Sequence, residues 1–329
     1  MSAAVPFGSP LAPVVTRFLA LKRALGRGYA HEEAMFRALD TFLATAPPGP
    51  ADLTPATFAA WGQTLQRLTP TVRRNWLRVV RNLCLYRRRT EPACFVPDAA
   101  GFPAPHQPRA PFIFTPRDIA RLLQCADRLP PTPGSPLRAA AYRLALVLLY
   151  TTGLRRGELV RLTVGDYDPQ AQTVLVRGSK FHKSRCLPLA PDGVQEIERY
   201  LALRRRPLAP EQPLVWCGAG PGRPYTGAGF AQGFRALCHA AEIRTPAGRV
   251  PRVHDTRHSF AVQALLRWYR AGEDVQAKLP LLATYLGHVS IVSTQHYLPF
   301  VEPLGGAASA RFAARCGALI RGPAEGGAP

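Results

Sequence analysis

The spacing of apolar residues before residue 90 predicts helices rather than strands. Thr54-Pro55 and Thr69-Pro70 are typical helix starts, since Thr caps a first turn and Pro fits the first helical position. Apolar positions recur every three or four residues in four stretches, near residues 11 to 27, 31 to 45, 55 to 68 and 70 to 88. This part of the chain is therefore expected to fold as a small helical bundle.

Residues 92 to 116 interrupt this pattern. They hold seven prolines and show neither a helical nor a strand period, which indicates a stiff, extended linker. We therefore expect residues 1 to 105 to form one domain and residues 106 to 329 the other.

Beyond the linker, helices alternate with a short hairpin. Thr115 opens a helix, and the apolar run at 137 to 151 predicts a buried helix that ends at Gly153. Residues 173 to 177 and 185 to 189 alternate as two strands around a loop with two lysines. Further helices are expected near 191 to 205, 227 to 241, 254 to 271 and 274 to 286. The predicted fold class is mainly α with a small β-sheet (α+β).

The fourth predicted helix carries a basic face. Its apolar side is formed by Val72, Trp76, Val79, Val80 and Leu83. Arg74, Arg78 and Arg81 fall on the other side, and the helix runs into three arginines at 87 to 89 with only Glu91 nearby to neutralise them. A solvated charged face is the ordinary interpretation in an arginine-rich chain. The uninterrupted basic face favours contact with DNA phosphates.

The overall charge supports a polyanionic partner. The formal net charge is +21, and both halves of the chain have an excess of basic residues. Nucleic acid is therefore expected ahead of an anionic membrane. The hydrophobic fraction of 47% with a charged fraction of 19% is typical of a folded chain rather than a disordered one.

Two further features narrow the class of protein. No apolar run reaches membrane-spanning length, and the N-terminus lacks a basic region followed by a hydrophobic stretch. We expect a cytoplasmic, nucleoid-associated protein with no membrane partner. The seven cysteines occur singly, without a C-x-x-C pair, which favours buried free thiols over disulfides or cysteine-based zinc sites.

Five segments carry the candidate chemistry. In chain order they are "TGLRRGEL" around Arg155, the lysine hairpin, "HDTRH" (254 to 258), "LGH" (286 to 288) and "STQHYL" (293 to 298). In this order and spacing, residues 110 to 300 resemble the tyrosine recombinase (phage integrase) family. The helical bundle and linker are more loosely similar to that family's SAM-like core-binding domain, which binds DNA. "YLPFVEPL" is similar to integrases of transposon type.

The resemblance implies a catalytic domain that acts on double-stranded DNA. A site-specific recombinase of this family cleaves and rejoins strands through a covalent 3′-phosphotyrosyl intermediate, without a metal, ATP or another cofactor. The implied catalytic residues are Arg155, Lys180, His254, Arg257, His288 and Tyr297.

These residue types also suit phosphodiester cleavage on chemical grounds. A tyrosine attacking phosphorus builds charge on two non-bridging oxygens, and Arg155 and Arg257 can clamp these oxygens with paired hydrogen bonds. The phenol, with a pKa of about 10, needs a neighbour to take its proton, and His254 is the candidate base. A lysine can protonate the departing 5′ oxygen whereas an arginine effectively cannot. Only four of the 42 basic residues are lysines, so the hairpin lysines are informative.

Two hairpin lysines compete for the role of proton donor. Lys180 precedes Pro188 by eight residues, where the family carries its catalytic lysine, and is favoured. Lys183 is expected to touch phosphate, and a solvated turn is the structural alternative for both. Among the supporting residues, Glu158 is expected to orient its neighbours by hydrogen bonding, and His258 to pack or orient its helix.

The other candidates also have structural interpretations. Arg155 could be a surface arginine at a helix start, His288 a capping histidine after Gly287, and Tyr297 a core tyrosine. The nine-residue interval between His288 and Tyr297 favours function. A helix that ends at Gly287, followed by a short turn and another helical turn, would bring both side chains to one phosphate.

Other functions compete with recombination. His254 and His258 have the spacing of a zinc-binding pair, but Asp255 is too short for the usual metalloprotease base and no third ligand follows. A non-catalytic DNA-binding protein of the same fold and type IB topoisomerase-like strand relaxation are the remaining alternatives.

The end of the chain favours recombination over strand relaxation. Residues 301 to 329 contain a short amphipathic helix near 307 to 320 after a Pro-Leu-Gly-Gly hinge. We expect this oligomerisation tail to dock on a neighbouring protomer in a tetrameric synapse on DNA, while the free protein is a monomer or dimer.

Overall fold

The computed structural model describes residues 6–45, 51–105, 109–178, 184–204, 208–216, 218 and 223–288. The chain divides into two compact units, residues 1–109 and 110–329. The described residues are mostly helical with a small three-stranded sheet, which confirms the predicted fold class. The division falls a few residues after the boundary expected from the prolines.

The first unit is a helical bundle. Its longer helices are Ala12–Ala24 (α1), Ala30–Ala44 (α2), Pro55–Thr64 (α3) and Pro70–Arg87 (α4). The Thr54 side chain caps α3 as predicted, accepting a hydrogen bond from the Thr57 backbone N–H. The Thr69 side chain makes no capping bond, so the start of α4 depends on Pro70 instead.

Helix α4 buries most of the predicted apolar side. Its buried residues are Leu77, Val80, Leu83 and Cys84. Val72 was expected in the core, but 39% of it is exposed. Trp76 and Val79 pack against the same core, Leu77 and Cys84 extend the buried stripe, and Val72 lies at its edge.

The proline-rich segment contributes side chains to the core of each unit. Phe102 is buried in the core of the first unit, and its ring centroid lies 6.3 Å from that of Phe58. Phe114 is buried in the second unit, with its ring 6.1 Å from that of Phe234. Large aromatic side chains therefore anchor parts of a segment that has neither a helical nor a strand period.

The second unit is built around one buried helix. Its helices are Pro116–Asp127 (α5), Arg138–Thr152 (α6), Arg156–Leu159 (α7), Pro191–Leu203 (α8), Gly227–Ala240 (α9), Val253–Arg270 (α10) and Val275–Leu286 (α11). Helix α6 packs against α5, α8 and α10, and it ends at Gly153 as predicted. The four-residue helix α7 was not predicted, because it is too short to show a period.

The sheet contains the predicted hairpin and one further strand. Its strands are Tyr167–Asp168 (β1), Thr173–Val176 (β2) and Arg185–Pro188 (β3), antiparallel in that order. Val174 pairs with Leu187, and Val176 pairs with Arg185. Strand β1 is only two residues long, so alternation could not reveal it.

One prediction about the cysteines was wrong. Cys84 and Cys238 are buried, but Cys186 is exposed. Cys186 lies on β3, where successive side chains alternate, and the neighbouring Leu187 takes the inward position.

Two helices of the second unit end at a glycine with a left-handed backbone. Gly153 ends α6 with φ 63°, and Gly287 ends α11 with φ 67°. A Cβ atom at Gly153 would lie 2.7 Å from the Phe260 ring, and one at Gly287 would lie 3.0 Å from the Arg185 guanidinium. Both chain reversals therefore require glycine for conformation and for space.

Candidate active site at the ends of α6 and α11

Four of the six candidate catalytic residues lie in the described residues. Arg155 follows the end of α6, and His288 follows the end of α11. His254 is in the first turn of α10, with Arg257 three residues later. The other two, Lys180 and Tyr297, lie outside the described residues, as does the alternative proton donor Lys183.

Arg257 joins the two helix ends. Its side chain is fully buried. Its Nη1 donates to the Gly153 carbonyl at 2.8 Å, and its Nη2 donates to the Leu286 carbonyl at 2.5 Å. Carbonyls at a helix C-terminus lack partners within the helix and carry its partial negative charge, so a guanidinium satisfies them well.

Three consecutive carbonyls at the end of α11 accept hydrogen bonds from three different arginines. Arg185 Nε donates to Tyr285 at 2.8 Å, and Arg155 Nη2 donates to Gly287 at 3.0 Å. Arg257 takes the carbonyl between them. The backbone that leads directly into His288 is thus fixed by guanidinium groups from three separate parts of the unit.

Glu158 holds two of these arginines together. Its Oε1 accepts from Arg155 Nη1 at 2.7 Å and from Arg185 Nη1 at 3.2 Å. Its Oε2 accepts from the Arg155 backbone N–H at 2.9 Å and from Arg185 Nη2 at 2.8 Å. Burial alone would raise the pKa of Glu158, but the hydrogen bonds from Arg185 and Arg155 lower this pKa to about 2. Glu158 therefore remains a carboxylate at neutral pH.

Both histidines of the site are neutral at pH 7. Desolvation and the nearby Arg257 lower the pKa of His288 to about 4, and Arg155 and His254 contribute to the shift. The His254 side chain is open to solvent on one side, yet desolvation and Arg257 lower the pKa of His254 to about 4 as well. Each imidazole therefore lies within electrostatic range of both Arg155 and Arg257.

The segment "HDTRH" does not have the geometry of a metalloprotease. Asp255 is buried and accepts hydrogen bonds from the backbone N–H of Arg252 and from its guanidinium, both at 2.8 Å. It caps α10 and is not positioned as a base. The His258 ring packs edge-on against the His254 ring, with centroids 4.7 Å apart. Within the described ranges, no group of three or more His, Cys, Asp or Glu residues could hold a metal ion.

Arg185 was missed in the sequence. Because arginine is abundant in this chain, an arginine in a predicted strand does not indicate a functional residue. One signal was available: Arg185 shares a face of its strand with Leu187 and Leu189, which are both buried. A charged residue in register with core leucines needs a buried partner.

The basic face of α4 is less uniform than its sequence indicates. Arg74 Nη1 donates to the Pro103 carbonyl at 2.5 Å, and Arg81 Nε donates to the Pro97 carbonyl at 3.0 Å. Arg78 is exposed. Two of the three predicted DNA-binding arginines thus already bind the chain that follows the helix.

The run at 87 to 89 is also partly neutralised. Arg87 donates to Asp52 at 2.7 Å as well as to Glu91 at 2.7 Å. Asp52 was not considered as a neutralising partner, because it lies 35 residues earlier in the chain.

Known proteins resemble this chain over most of its length. The model of the phage integrase family matches residues 113–300. The "Putative integrase/recombinase y4rB" of Sinorhizobium fredii (strain NBRC 101917 / NGR234) is 32% identical over 295 residues, which cover 86% of this chain and 91% of that protein.

Solved structures share the fold. The XerH site-specific recombinase bound to its palindromic difH substrate has a TM-score of 0.60 at 17% identity, covering 93% of this chain and 90% of that one. The Tn1549 transposon integrase in complex with transposon right end DNA has a TM-score of 0.58 at 18% identity, covering 93% of this chain and 99% of that one.

None of the described helices has the length and apolar character needed to cross a membrane.

Proposed function

Because this chain belongs to the phage integrase family of tyrosine recombinases, we propose that it recombines double-stranded DNA with Tyr297 as the nucleophile. The observation that best supports this role is that Arg155 and Arg257 bind the ends of α6 and α11, within electrostatic range of the neutral His254 and His288. This arrangement supplies positive charge that can stabilise the negative charge on the non-bridging phosphate oxygens in the transition state.

Arg155 and Arg257 bind the scissile phosphate. A guanidinium presents several N–H donors in one plane, so each arginine can hold a non-bridging oxygen while it keeps a backbone carbonyl. His288 donates a further hydrogen bond to a phosphate oxygen. The buried Glu158 fixes Arg155 through its backbone and its side chain, so little reorganisation is needed when charge develops.

Side chains of the protein can carry out both proton transfers that cleavage requires. The Tyr297 oxygen attacks phosphorus while its proton passes to His254, which is neutral at pH 7 and able to accept it. The new phosphorus–oxygen bond forms as the bond to the 5′ oxygen breaks, and Lys180 protonates that oxygen. Lys183 is the alternative donor. The covalent link conserves the phosphodiester, so rejoining requires no ATP.

The finer features of DNA binding and assembly belong to the same proposal. The basic face of α4 contacts DNA phosphates outside the reaction centre, mainly through the exposed Arg78 and less through Arg74 and Arg81, which also bind backbone carbonyls. The protein assembles as a tetramer on DNA through residues 307 to 320, which lie outside the described residues. It acts in the cytoplasm at the nucleoid. Gel filtration with DNA tests the assembly, because truncation at residue 303 should prevent the tetramer, and unchanged assembly would contradict it.

Covalent trapping tests the reaction. A library of randomised duplexes, each with a nick that lets the cleaved fragment diffuse away, is incubated with the protein in EDTA. The wild-type protein should form an adduct that survives denaturing electrophoresis, and Tyr297→Phe should form none. Tyr86→Phe, which removes a hydroxyl from the packed bundle of the first unit, is the matched control and should behave like wild type. An adduct with Tyr297→Phe, or one that requires a divalent ion, would contradict the proposal.

A further inference from the structure

Arg185 occupies an unusual place for a charged residue. It is the first residue of β3, opposite Val176, and its side chain is only 11% exposed. It follows the hairpin loop that carries Lys180. Its side chain lies among the groups that hold the site together and outside the set implied by the family resemblance.

Every side-chain nitrogen of Arg185 has a partner within the protein. The two terminal nitrogens form a paired contact with the carboxylate of Glu158, and Nε donates to the Tyr285 carbonyl. These partners lie 27 and 100 residues away along the chain. One side chain therefore ties β3 to the start of α7 and to the end of α11.

Each of these contacts leads to a residue of the proposed site. Glu158 binds the backbone and side chain of Arg155, and Tyr285 lies three residues before His288. Arg185 can therefore influence the reaction without touching the phosphate. Removing it would leave the buried Glu158 with Arg155 as its remaining arginine partner among the bonds described above.

The charge balance at Glu158 gives this contact a functional consequence. One carboxylate with two guanidiniums carries a net positive charge, whereas one carboxylate with Arg155 alone is neutral. In the neutral pair, Glu158 competes directly with the phosphate for Arg155. In a buried site the loss of one compensating charge is poorly screened by water.

We propose that Arg185 is a positioning residue for strand cleavage, which saturates Glu158 so that Arg155 is directed to the phosphate and which fixes the end of α11 ahead of His288. This inference rests on the proposed function. It assigns to Arg185 an effect on the rate of bond breaking rather than on DNA affinity.

The test separates the rate of cleavage from binding. Arg185→Ala should lower the single-turnover rate of adduct formation at saturating DNA by about 10- to 100-fold, as expected for loss of a residue that orients a reacting group. The Kd for DNA should change by less than about threefold, because no phosphate contact is lost. The control is Arg177→Ala on the same hairpin, an arginine that is 66% exposed and paired with Asp166. It should change either quantity by less than about threefold.

Two further variants distinguish positioning from simple structural support. Arg185→Lys keeps the charge but cannot make the paired contact and the Tyr285 bond together, so its rate should lie between those of wild type and Arg185→Ala. If Arg185 acts through Glu158, then Glu158→Gln combined with Arg185→Ala should be little slower than the slower single variant.

The contrary results are distinct from failure of the proposed function. A wild-type rate for Arg185→Ala, a fully additive double variant, or a loss confined to DNA affinity would overturn the positioning role and leave the recombinase assignment intact. Arg185→Lys covers the case in which Arg185→Ala fails to fold. If Arg185→Lys folds and cleaves DNA at the rate of wild type, the positioning role is also overturned. Failure of the wild-type protein to form any adduct would instead overturn the proposed function, and this inference with it.

Discussion

Two groups of arginines in this protein differ in their surroundings. In the second unit, Arg257 is fully buried and Arg185 nearly so, and both donate to carbonyls at the end of α11. In the first unit, Arg74 and Arg81 also donate to backbone carbonyls, but they remain partly exposed, and Arg78 is exposed.

The difference lies in what else surrounds the guanidinium groups. In the second unit, Arg155 and Arg185 bind a buried carboxylate, Glu158, and the neutral His254 and His288 lie within electrostatic range of Arg155 and Arg257. The arginines of α4 are bonded to an aperiodic segment and have solvent on their other side. Buried and preorganised charge can stabilise a transition state, whereas exposed charge acts mainly through salt-dependent attraction to DNA. The following predictions test this contrast, from the largest expected effect to the smallest.

The largest effect is expected from Arg257→Ala. Adduct formation should slow by about 10²- to 10³-fold, because one preorganised donor set to the phosphate is lost. The free energy of unfolding should fall by about 1–3 kcal/mol, because the Gly153 and Leu286 carbonyls lose their donor. Single-turnover kinetics and urea denaturation measure the two quantities. Arg270→Ala, an exposed position on the same helix, is the control, and equal effects of the two variants would contradict the contrast.

Glu158→Gln should reduce stability by about 3 kcal/mol at pH 7, because two guanidiniums lose their buried counter-charge. The folded-state pKa of Glu158 is about 2, below its ordinary value of 4.5, so its contribution is full above pH 4.5 and is lost as the pH falls toward 2. The stability difference between wild type and Glu158→Gln should therefore shrink in acid. Urea denaturation from pH 7 to pH 3 measures it.

The matched control for that variant lies in the first unit. Glu91 also binds an arginine, Arg87, but its side chain is 42% exposed. Glu91→Gln should lower the free energy of unfolding by less than about 1 kcal/mol. If Glu158→Gln and Glu91→Gln lower the free energy of unfolding by the same amount, burial does not explain the difference between the two regions.

The helices were largely predictable because their signals are local. The buried helix that ends at Gly153, the hairpin strands and the long helices after it follow from periodicity, capping residues and glycine. The elements that were missed, β1 and α7, are only two and four residues long. The packing of Phe102 and Phe114 was missed because contacts between distant residues decide it.

The same limit applies to the site. The family resemblance implied Arg155, His254, Arg257 and His288, which the fold places near one another. The role of Arg185 depends on partners 27 and 100 residues away, which no local pattern could indicate. The presence of Asp52 beside Arg87 was hidden for the same reason. Abundant arginine makes such positions hard to distinguish in sequence.

A smaller effect is expected on the pH dependence of stability. The ordinary pKa of histidine is 6.5, and burial beside arginines lowers it to about 4 for both His254 and His288. The unfolded chain therefore binds more protons between these values, so stability should fall as the pH drops from about 6.5 toward 4. His288→Asn should flatten this slope. The window from pH 6.5 to pH 5 isolates the histidines from the carboxylates, and an unchanged slope in urea denaturation would contradict the neutral state of His288.

The smallest effects are expected on α4. Arg78→Ala should weaken DNA binding modestly and reduce the slope of log Kd against log salt by about 1. Arg74→Ala and Arg81→Ala should change that slope less and lower stability by about 1 kcal/mol each, because each loses a hydrogen bond to the chain. Binding titrations at several salt concentrations show which of the three variants changes the slope most. A larger slope change for Arg74 than for Arg78 would reverse the contrast within the first unit.

The most direct measurement is to identify the residue that carries DNA. The adduct formed in EDTA is trimmed with nuclease, digested with protease and mapped by mass spectrometry. The expected result is a nucleotide attached to the phenolic oxygen of Tyr297 through its 3′ phosphate. Attachment to any other residue, or through a 5′ phosphate, would contradict the account.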